Sequence, residues 1–279
     1  MMKWLGLTPF ALYVLIFLAV PSVLAIGTGF FGADGSFTLD NFATLTDPIV
    51  LGSFWASIWI SALTAAVGAI LGGLLSFALT GAKPGGALRR VIDSASSVLA
   101  QFGGVMLAFA FIATIGIQGL LTVTLRESFG IDIFADGVWL YQLPGLILPY
   151  LYFQVPLMVI VFLPAMEGLR REWAEASATL GGGAFTYWSR IAGPILAPSF
   201  LGALLLLFAN AFSSYATAAA LISQGAQIVP LQIRSALIAE TGASRANTAG
   251  ALALGMLLVM LVVMLGYSAL QRRAARWQR

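Results

Sequence analysis

Six long apolar runs leave this chain little choice of environment. They cover about Thr8 to Phe30, Ile49 to Leu79, Ala95 to Leu121, Gln142 to Ala165, Ile195 to Ile222 and Thr248 to Leu270. A helix needs about 20 predominantly apolar residues to cross a hydrocarbon core of about 30 Å, and each run is long enough. Charged residues make up 9% of the chain and apolar ones 60%, whereas a soluble domain carries about 25% charged residues. The expected fold is therefore all-α, a polytopic membrane protein of six transmembrane helices. A barrel would show alternating segments of about ten residues, and the runs do not alternate.

The runs differ in detail. The first is too long for the apolar part of a cleaved signal peptide, so a retained helix is expected, kinked at Pro21. Gly68, Gly72, Gly73 and Ser76 in the second fit close helix packing in lipid. The fourth holds Pro144, Pro149, Pro156 and Pro164, which predicts a bent or broken helix supported by protein neighbours or a cavity. Gly81 to Asp93 reads as a short basic loop, Asp40-Asn41 as the start of a short surface helix, and Thr122 to Tyr141 as a mostly acidic segment.

Charge sets the orientation. With both termini inside, the inner segments hold Lys3, Lys83, Arg89, Arg90, Arg170, Arg171, Arg190, Arg272, Arg273, Arg276 and Arg279. The outer ones hold Arg126, Arg234 and Arg245. That bias is the positive-inside pattern, and it places both termini in the cytoplasm. The basic tail reads as a topology and anionic-lipid anchor.

Several chemistries drop out. Cys and His are absent, which removes thiol nucleophiles, imidazole bases and the usual soft metal ligands; no catalytic residue and no metal site is expected. No ionisable residue stands in the middle of a run, which argues against a proton- or sodium-coupled carrier. No G-x-x-x-x-G-K-[ST] loop occurs; Gly81 to Gly86 lacks both the spacing and the hydroxyl. The net charge of +3 gives no reason to expect a nucleic-acid partner.

The longest polar interruption, Glu167 to Pro198, falls on the cytoplasmic side. Met166, Leu169, Trp173, Ala176 or Ser177, and Leu180 recur at steps of three and four, an amphipathic helical stripe. Glu167, Arg171 and Glu175 form a ladder of alternating charge on another face. Gly181-Gly182-Gly183 should stop that helix. Thr186 can cap a second short helix, Tyr187 to Ala192, which Pro194 should end. A helix, bend and helix of this kind suits a groove on a soluble partner, or else rests on the bilayer surface.

Two further groups are candidates. Gln101, Gln154, Asn210, Ser213, Ser214, Tyr215 and Thr217 are polar at or near membrane depth. They line a hydrophilic passage or, in the alternative, bond one helix to another. Ile228 to Glu240 reads as a short amphipathic outer helix, with Arg234 and Glu240 as anchors for an extracytoplasmic protein. Its alternative is an interfacial helix over a pore.

Glu175-Ala176-Ser177, then Gly181, then Ile191 after nine residues, then Pro194 and Pro198, resembles the EAA loop of binding-protein-dependent ABC importer permeases. The family pattern is Glu-Ala-Ala, three residues, Gly, nine residues, Ile, one residue, Leu-Pro. The spacing is kept; Ser177 stands where Ala is usual and Gly193 where Leu is usual. The resemblance implies a type I importer permease fold, a single domain over 1–279 with its core at about 49–270 and a coupling loop at about 166–195. It implies a multi-pass, non-catalytic subunit of a bacterial inner membrane.

Its implied partners are a pair of ATP-binding cassette ATPases that hold ATP and Mg, a second permease, identical or similar, and an extracytoplasmic binding protein. Glu175, Ala176, Ser177, Gly181, Ile191 and Pro194 would couple to the ATPase. Ser213 to Ala218 and Ile228 to Ile233 resemble the branch that includes polyamine importers, with ferric iron, thiamine and phosphonate relatives. The competing functions are a secondary transporter or channel working alone, which leaves the loop without a task, and a membrane anchor for an enzyme complex, which does not need the polar cluster.

Overall fold

With no water in a bilayer core, each spanning segment must satisfy its own backbone, and helices do so locally. The structure, a computed structural model, describes residues 7–83, 85–222, 228–238 and 244–275. Six helical stretches are long and apolar enough to cross a membrane: Thr8–Phe30, Pro48–Thr80, Gly104–Phe129, Leu143–Glu167, Ala184–Phe212 and Asn247–Ala269. We call them spans one to six. The expected six-span, all-α architecture holds; an isolated bridge between Phe31 and Phe37 is the β pairing found among the described residues.

Several boundaries differ from expectation; span three, for one, runs on to Phe129, taking in Thr122 to Phe129 of the expected acidic segment. Arg89, Arg90 and Asp93 belong to a helix, Ala87–Leu99, rather than to a basic loop. Its charges share one edge while Leu88, Val91, Ile92, Ala95, Val98 and Leu99 share the other, a division that averaging along the sequence conceals. The chain then breaks at 100–103 and restarts as Gly104–Ile115, with Gly104 at φ +69°. Span three is thus preceded by a separate helical piece, and Gln101 lies in the break between them.

The single stripe from Met166 to Leu180 is divided. Span four stops at Glu167, the chain turns through Gly168, and an extended Arg170 (φ −78°, ψ 133°) leads into a new helix, Arg171–Thr179. The expected charge ladder keeps one rung, Arg171 to Glu175 at 3.4 Å; Glu167 pairs with Arg89 at 2.7 Å instead.

Tyr187 to Ala192 is not a separate helix, and neither Thr186 nor Pro194 bounds it. The helix begins after Gly183 and runs on through Phe212, with a π turn at Trp188–Ala192. The wider turn accommodates Pro194, whose ring would otherwise meet the carbonyl four residues back. The N–H of Gly193 donates to the Trp188 carbonyl, five residues earlier. A Cβ at Gly193 would lie 2.6 Å from that oxygen, which accounts for glycine at this position. The same device serves Pro21: a π turn at Leu15–Ala19 precedes it, and the Ser22 hydroxyl donates to the Leu18 carbonyl at 2.7 Å.

At its other end span five stops at Phe212, and Ala216–Leu221 forms a separate short helix. Span four carries Pro156 and Pro164 inside a continuous helix, Ile147–Glu167.

The chain divides into two compact units. Met1–Ala56 with Ala226–Leu261 form the first. There Gly29 approaches span six so closely that a Cβ would sit 2.7 Å from the Ala251 nitrogen. The Asn41 amide donates to the Gly29 and Phe31 carbonyls at 2.9 and 2.8 Å. Ser57–Gly225 with Val262–Arg279 form the second unit. In it Gly68 and Gly72 of span two let span four approach; a Cβ at Gly72 would lie 2.5 Å from the Met158 Cβ and 2.7 Å from the Val155 carbonyl. Leu79, Val159 and Leu163 form a core cluster against which Leu75 and Ile92 pack. Small residues at such crossings let backbones approach and gain dispersion contact, because lipid tails offer no hydrophobic driving force.

Candidate functional site

The polar loop becomes a helix, a glycine turn and a second helix. Gly181 has φ +80°, a conformation that only glycine adopts without cost. Its N–H donates to the Ala178 carbonyl at 2.9 Å, and the Gly182 N–H donates to the Ser177 carbonyl at 2.8 Å. Those two bonds are the Schellman closure of a helix end, so Gly181 acts as the expected stop. Ser177 is buried against this turn; a Cβ at Gly182 would lie 2.6 Å from its hydroxyl. The serine in place of alanine therefore packs inside the bend.

Glu175 and Ala176 are exposed, Ile191 is half-buried and Pro194 exposed. Trp173, Ala176, Ser177, Thr186, Arg190 and Ile191 line a cleft of about 560 Å³ between the two helices. Three of the six expected coupling residues, Ala176, Ser177 and Ile191, line this cleft; Glu175 and Gly181 adjoin it in sequence, and Pro194 follows one turn on. The Arg170–Glu172 and Arg171–Glu175 pairs are both 3.4 Å and exposed, which makes them worth little energetically.

Two residues stand out, Leu180 of the expected stripe and Phe185, which no motif singles out. Leu180 is 88% and Phe185 85% exposed, one on each side of the glycine triplet. Leu180 and Ser177 share the expected apolar stripe, but Ser177 is buried in the bend while Leu180 protrudes from it. The signal available in the sequence was the run Leu180 to Phe185 itself: large apolar residues flanking glycines in a segment that the charge count assigns to water.

The polar residues of the spans divide into groups. The break before Gly104 and the break after Phe212 meet: the Gly104 N–H donates to Thr217 Oγ1 at 3.0 Å. Tyr150 OH of span four donates to the Ser214 carbonyl at 3.2 Å. Two helix ends that lost their own partners are thus satisfied by side chains of neighbouring pieces. Gln101, Asn210, Ser213 and Tyr215 are exposed around these breaks, Ser214 is half-buried, and Thr217 is buried. Phe102 and Phe111 pack on Tyr152 with ring centroids 6.2 and 6.1 Å apart. Tyr152 lies about 22 Å along the helix from Glu167, which sets the break that holds Phe102 about that far from the loop.

Gln154 stands apart. It is fully buried, and its Nε2 donates to Thr64 Oγ1 of span two at 3.1 Å, while its Oε1 accepts no hydrogen bond from a described residue. In this conformation it joins two helices rather than facing an opening.

The outer helix is present as Val229–Ile238. Gln232 Nε2 donates to Ser53 Oγ at 3.1 Å, and Arg234 is exposed. Glu240 lies outside the described residues. Among the described residues no group of His, Cys, Asp or Glu is arranged to hold a metal ion.

No family model matches the chain, and no curated protein matches it. Solved structures do. One is a bacterial ABC transporter involved in the import of the acidic polysaccharide alginate: TM-score 0.78, 17% identity, 98% of this chain and 95% of that chain. A bacterial alginate ABC transporter in complex with an alginate pentasaccharide-bound periplasmic protein gives 0.78, 19% identity, 98% and 94%. The MetNI methionine ABC transporter in an inward-facing conformation gives 0.54, 13% identity, 82% and 99%. At these identities the likeness is one of fold, and it extends over nearly the whole chain.

Proposed function

We propose that the chain is the membrane-spanning permease subunit of an ATP-driven, binding-protein-dependent ABC importer. It is itself non-catalytic and belongs to a bacterial inner membrane. The observation that carries this reading is the exposed, Schellman-closed bend at Ser177 to Gly182, on a chain with the fold of ABC importer subunits. The bend presents Glu175, Ala176 and the protruding Leu180 and Phe185 to a partner in water. An ABC ATPase pair supplies that partner, and nucleotide binding supplies the force.

In this reading the mechanism is mechanical. Closing of the ATPase pair moves helix Arg171–Thr179, and spans four and five, which flank the loop, carry the motion into the membrane. The two states of alternating access are then biased by nucleotide on one side and by the loaded binding protein on the other. Gln101, Asn210, Ser213, Ser214 and Tyr215, gathered at the paired helix breaks, line the path, and Thr217, buried behind them, holds the two breaks together. Broken helices lining a cavity are where irregular backbone is tolerated in a membrane. Arg234, and Glu240 by its place in the sequence, are the contacts assigned to the binding protein, and a second permease, identical or similar, completes the path.

The cargo is a small solute. The structural neighbours are a transporter involved in alginate import and a methionine ABC transporter, so one fold serves unlike cargoes. The polyamine reading rests on Ser213 to Ala218 and Ile228 to Ile233, and no carboxylate stands near the middle of a span to meet a cation. Ligand binding by the associated extracytoplasmic protein decides it. A carrier working alone would leave Leu180 and Phe185 exposed for no purpose.

The test is reconstitution with an ABC ATPase and binding protein. The wild-type chain should retain the ATPase through purification and take up solute only with ATP. Gly181→Asp should abolish uptake while membrane insertion persists. Uptake that needs no ATP, or that Gly181→Asp leaves unchanged, overturns the reading.

A further inference from the structure

We propose that Arg89 sets the position of the loop's root by tying helix Ala87–Leu99 to Glu167, the last helical residue before the loop. Its consequence for transport rests on the importer reading; its structural content does not.

The Arg89 side chain is 13% exposed. Nη1 meets Glu167 Oε1 at 2.7 Å, while Nε meets Asp93 Oδ2 and Oδ1 at 2.9 and 3.1 Å. Asp93 belongs to the same helix and holds the guanidinium in place; Glu167 belongs to span four and is the element being held. A guanidinium offers its donors in a fixed fork, so one side chain can orient both carboxylates, which a lysine ammonium does not. Arg171, four residues after Glu167, cannot substitute, because the helix breaks between them and Arg171 pairs with Glu175.

The tie continues an apolar seam. Val159, Leu163 and Glu167 stand at successive steps of four on one face of span four. Ile92, one turn from Arg89, packs on the cluster of Leu79, Val159 and Leu163. The apolar packing of Ile92 thus sets the inclination of the helix, and the ionic contact fixes its end. Displacement of Glu167 by a partner pushing on the loop is then carried into Ala87–Leu99 and on to the break that holds Gln101. Arg89 is a positioning residue: it touches neither nucleotide nor solute.

The absence of native cysteine makes the test direct. Spin labels at Ser94→Cys and Ala178→Cys, both exposed positions, report the distance between the helix and the loop in full-length chain held in nanodiscs. The parent should give one narrow distribution. Arg89→Gln and Glu167→Gln should each broaden or shift it, and the double variant should do no more than either single one, since both remove the same contact. Unchanged distributions in both single variants, or an additive double variant, overturn the proposal. If Arg89→Gln does not fold, Arg89→Lys takes its place: a distribution like the parent's then overturns the role of the fork.

In the reconstituted importer the solute moved per ATP should fall about fivefold or more in Glu167→Gln, the low end of ordinary coupling between sites. A ratio equal to the parent's overturns the transport consequence. A parent chain that recruits no ATPase refutes the importer reading alone, and the spin-label result still decides the tie.

Discussion

Phe185→Ala separates docking from folding. The Phe185 side chain is 85% exposed, so its loss removes almost no internal contact. Surface substitutions of this kind change stability by about 0.5 kcal/mol or less. If the ring enters a groove on the ATPase, its burial contributes about 1.5–3 kcal/mol. At about 1.4 kcal/mol per factor of ten, that is a loss of about 10- to 150-fold in affinity. The assay is the Kd of the ATPase for the chain in nanodiscs, beside the melting temperature of the chain alone. The expected result is a large change in Kd with an unmoved melting curve. Phe185→Leu should recover most of the affinity, because a large apolar side chain is kept. Kd within about twofold of the parent, a difference of less than half a kcal/mol, would refute the argument; so would a melting temperature that falls in step with affinity. Leu180→Ala, at 88% exposure, should behave alike. The two losses need not add, since the residues flank one turn.

Gly72→Ala should destabilise the chain by about 1–3 kcal/mol, because the new methyl meets the Val155 carbonyl and Met158 Cβ. Gly73→Ala, whose nearest neighbour is the Phe200 ring at 3.4 Å, should cost about 0.5 kcal/mol or less; unfolding in detergent compares the two. Thr217→Val leaves the Gly104 N–H without its acceptor and should cost about 1–3 kcal/mol, while Thr217→Ser should melt like the parent. Gly181→Val forces a branched residue to φ +80° and should cost about 1–2 kcal/mol. That cost should be read as faster amide exchange at Gly181 and Gly182, with Gly181→Asn milder because Asn tolerates this conformation.

The spans were legible because lipid demands long apolar helices, and long apolar runs need no tertiary knowledge to find. The stop at Gly181 was legible for a similarly local reason, since three glycines in a row leave few alternatives. What stayed hidden depends on neighbours. Arg89 and Asp93 read as a loop because charge lowers the local average, yet Glu167 and the Leu163 face give one edge of a helix somewhere to put them. Pro194 read as a stop because proline ends an α-helix; a π turn, which has no compositional signature, lets the helix pass. Gln101 and Thr217 were singled out for polarity, but that their helix breaks adjoin is a matter of pairing across more than a hundred residues.

The π turn at Trp188–Ala192 also acts as a phase setting. A residue added to an ordinary helix rotates everything before it by about 100° relative to everything after it; a π turn, with its bond to the fifth residue back, takes up that residue without the rotation. The face that Ala184 and Phe185 turn toward the cytoplasm therefore depends on the turn at Trp188–Ala192 staying wide. Rewinding it to α at unchanged length would swing the second loop helix by roughly that angle and aim Phe185 elsewhere, whereas deleting Ser189 at the same time would restore the aim. The aim of the bend is thus adjustable separately from the side chains that it carries between Arg171 and Trp188.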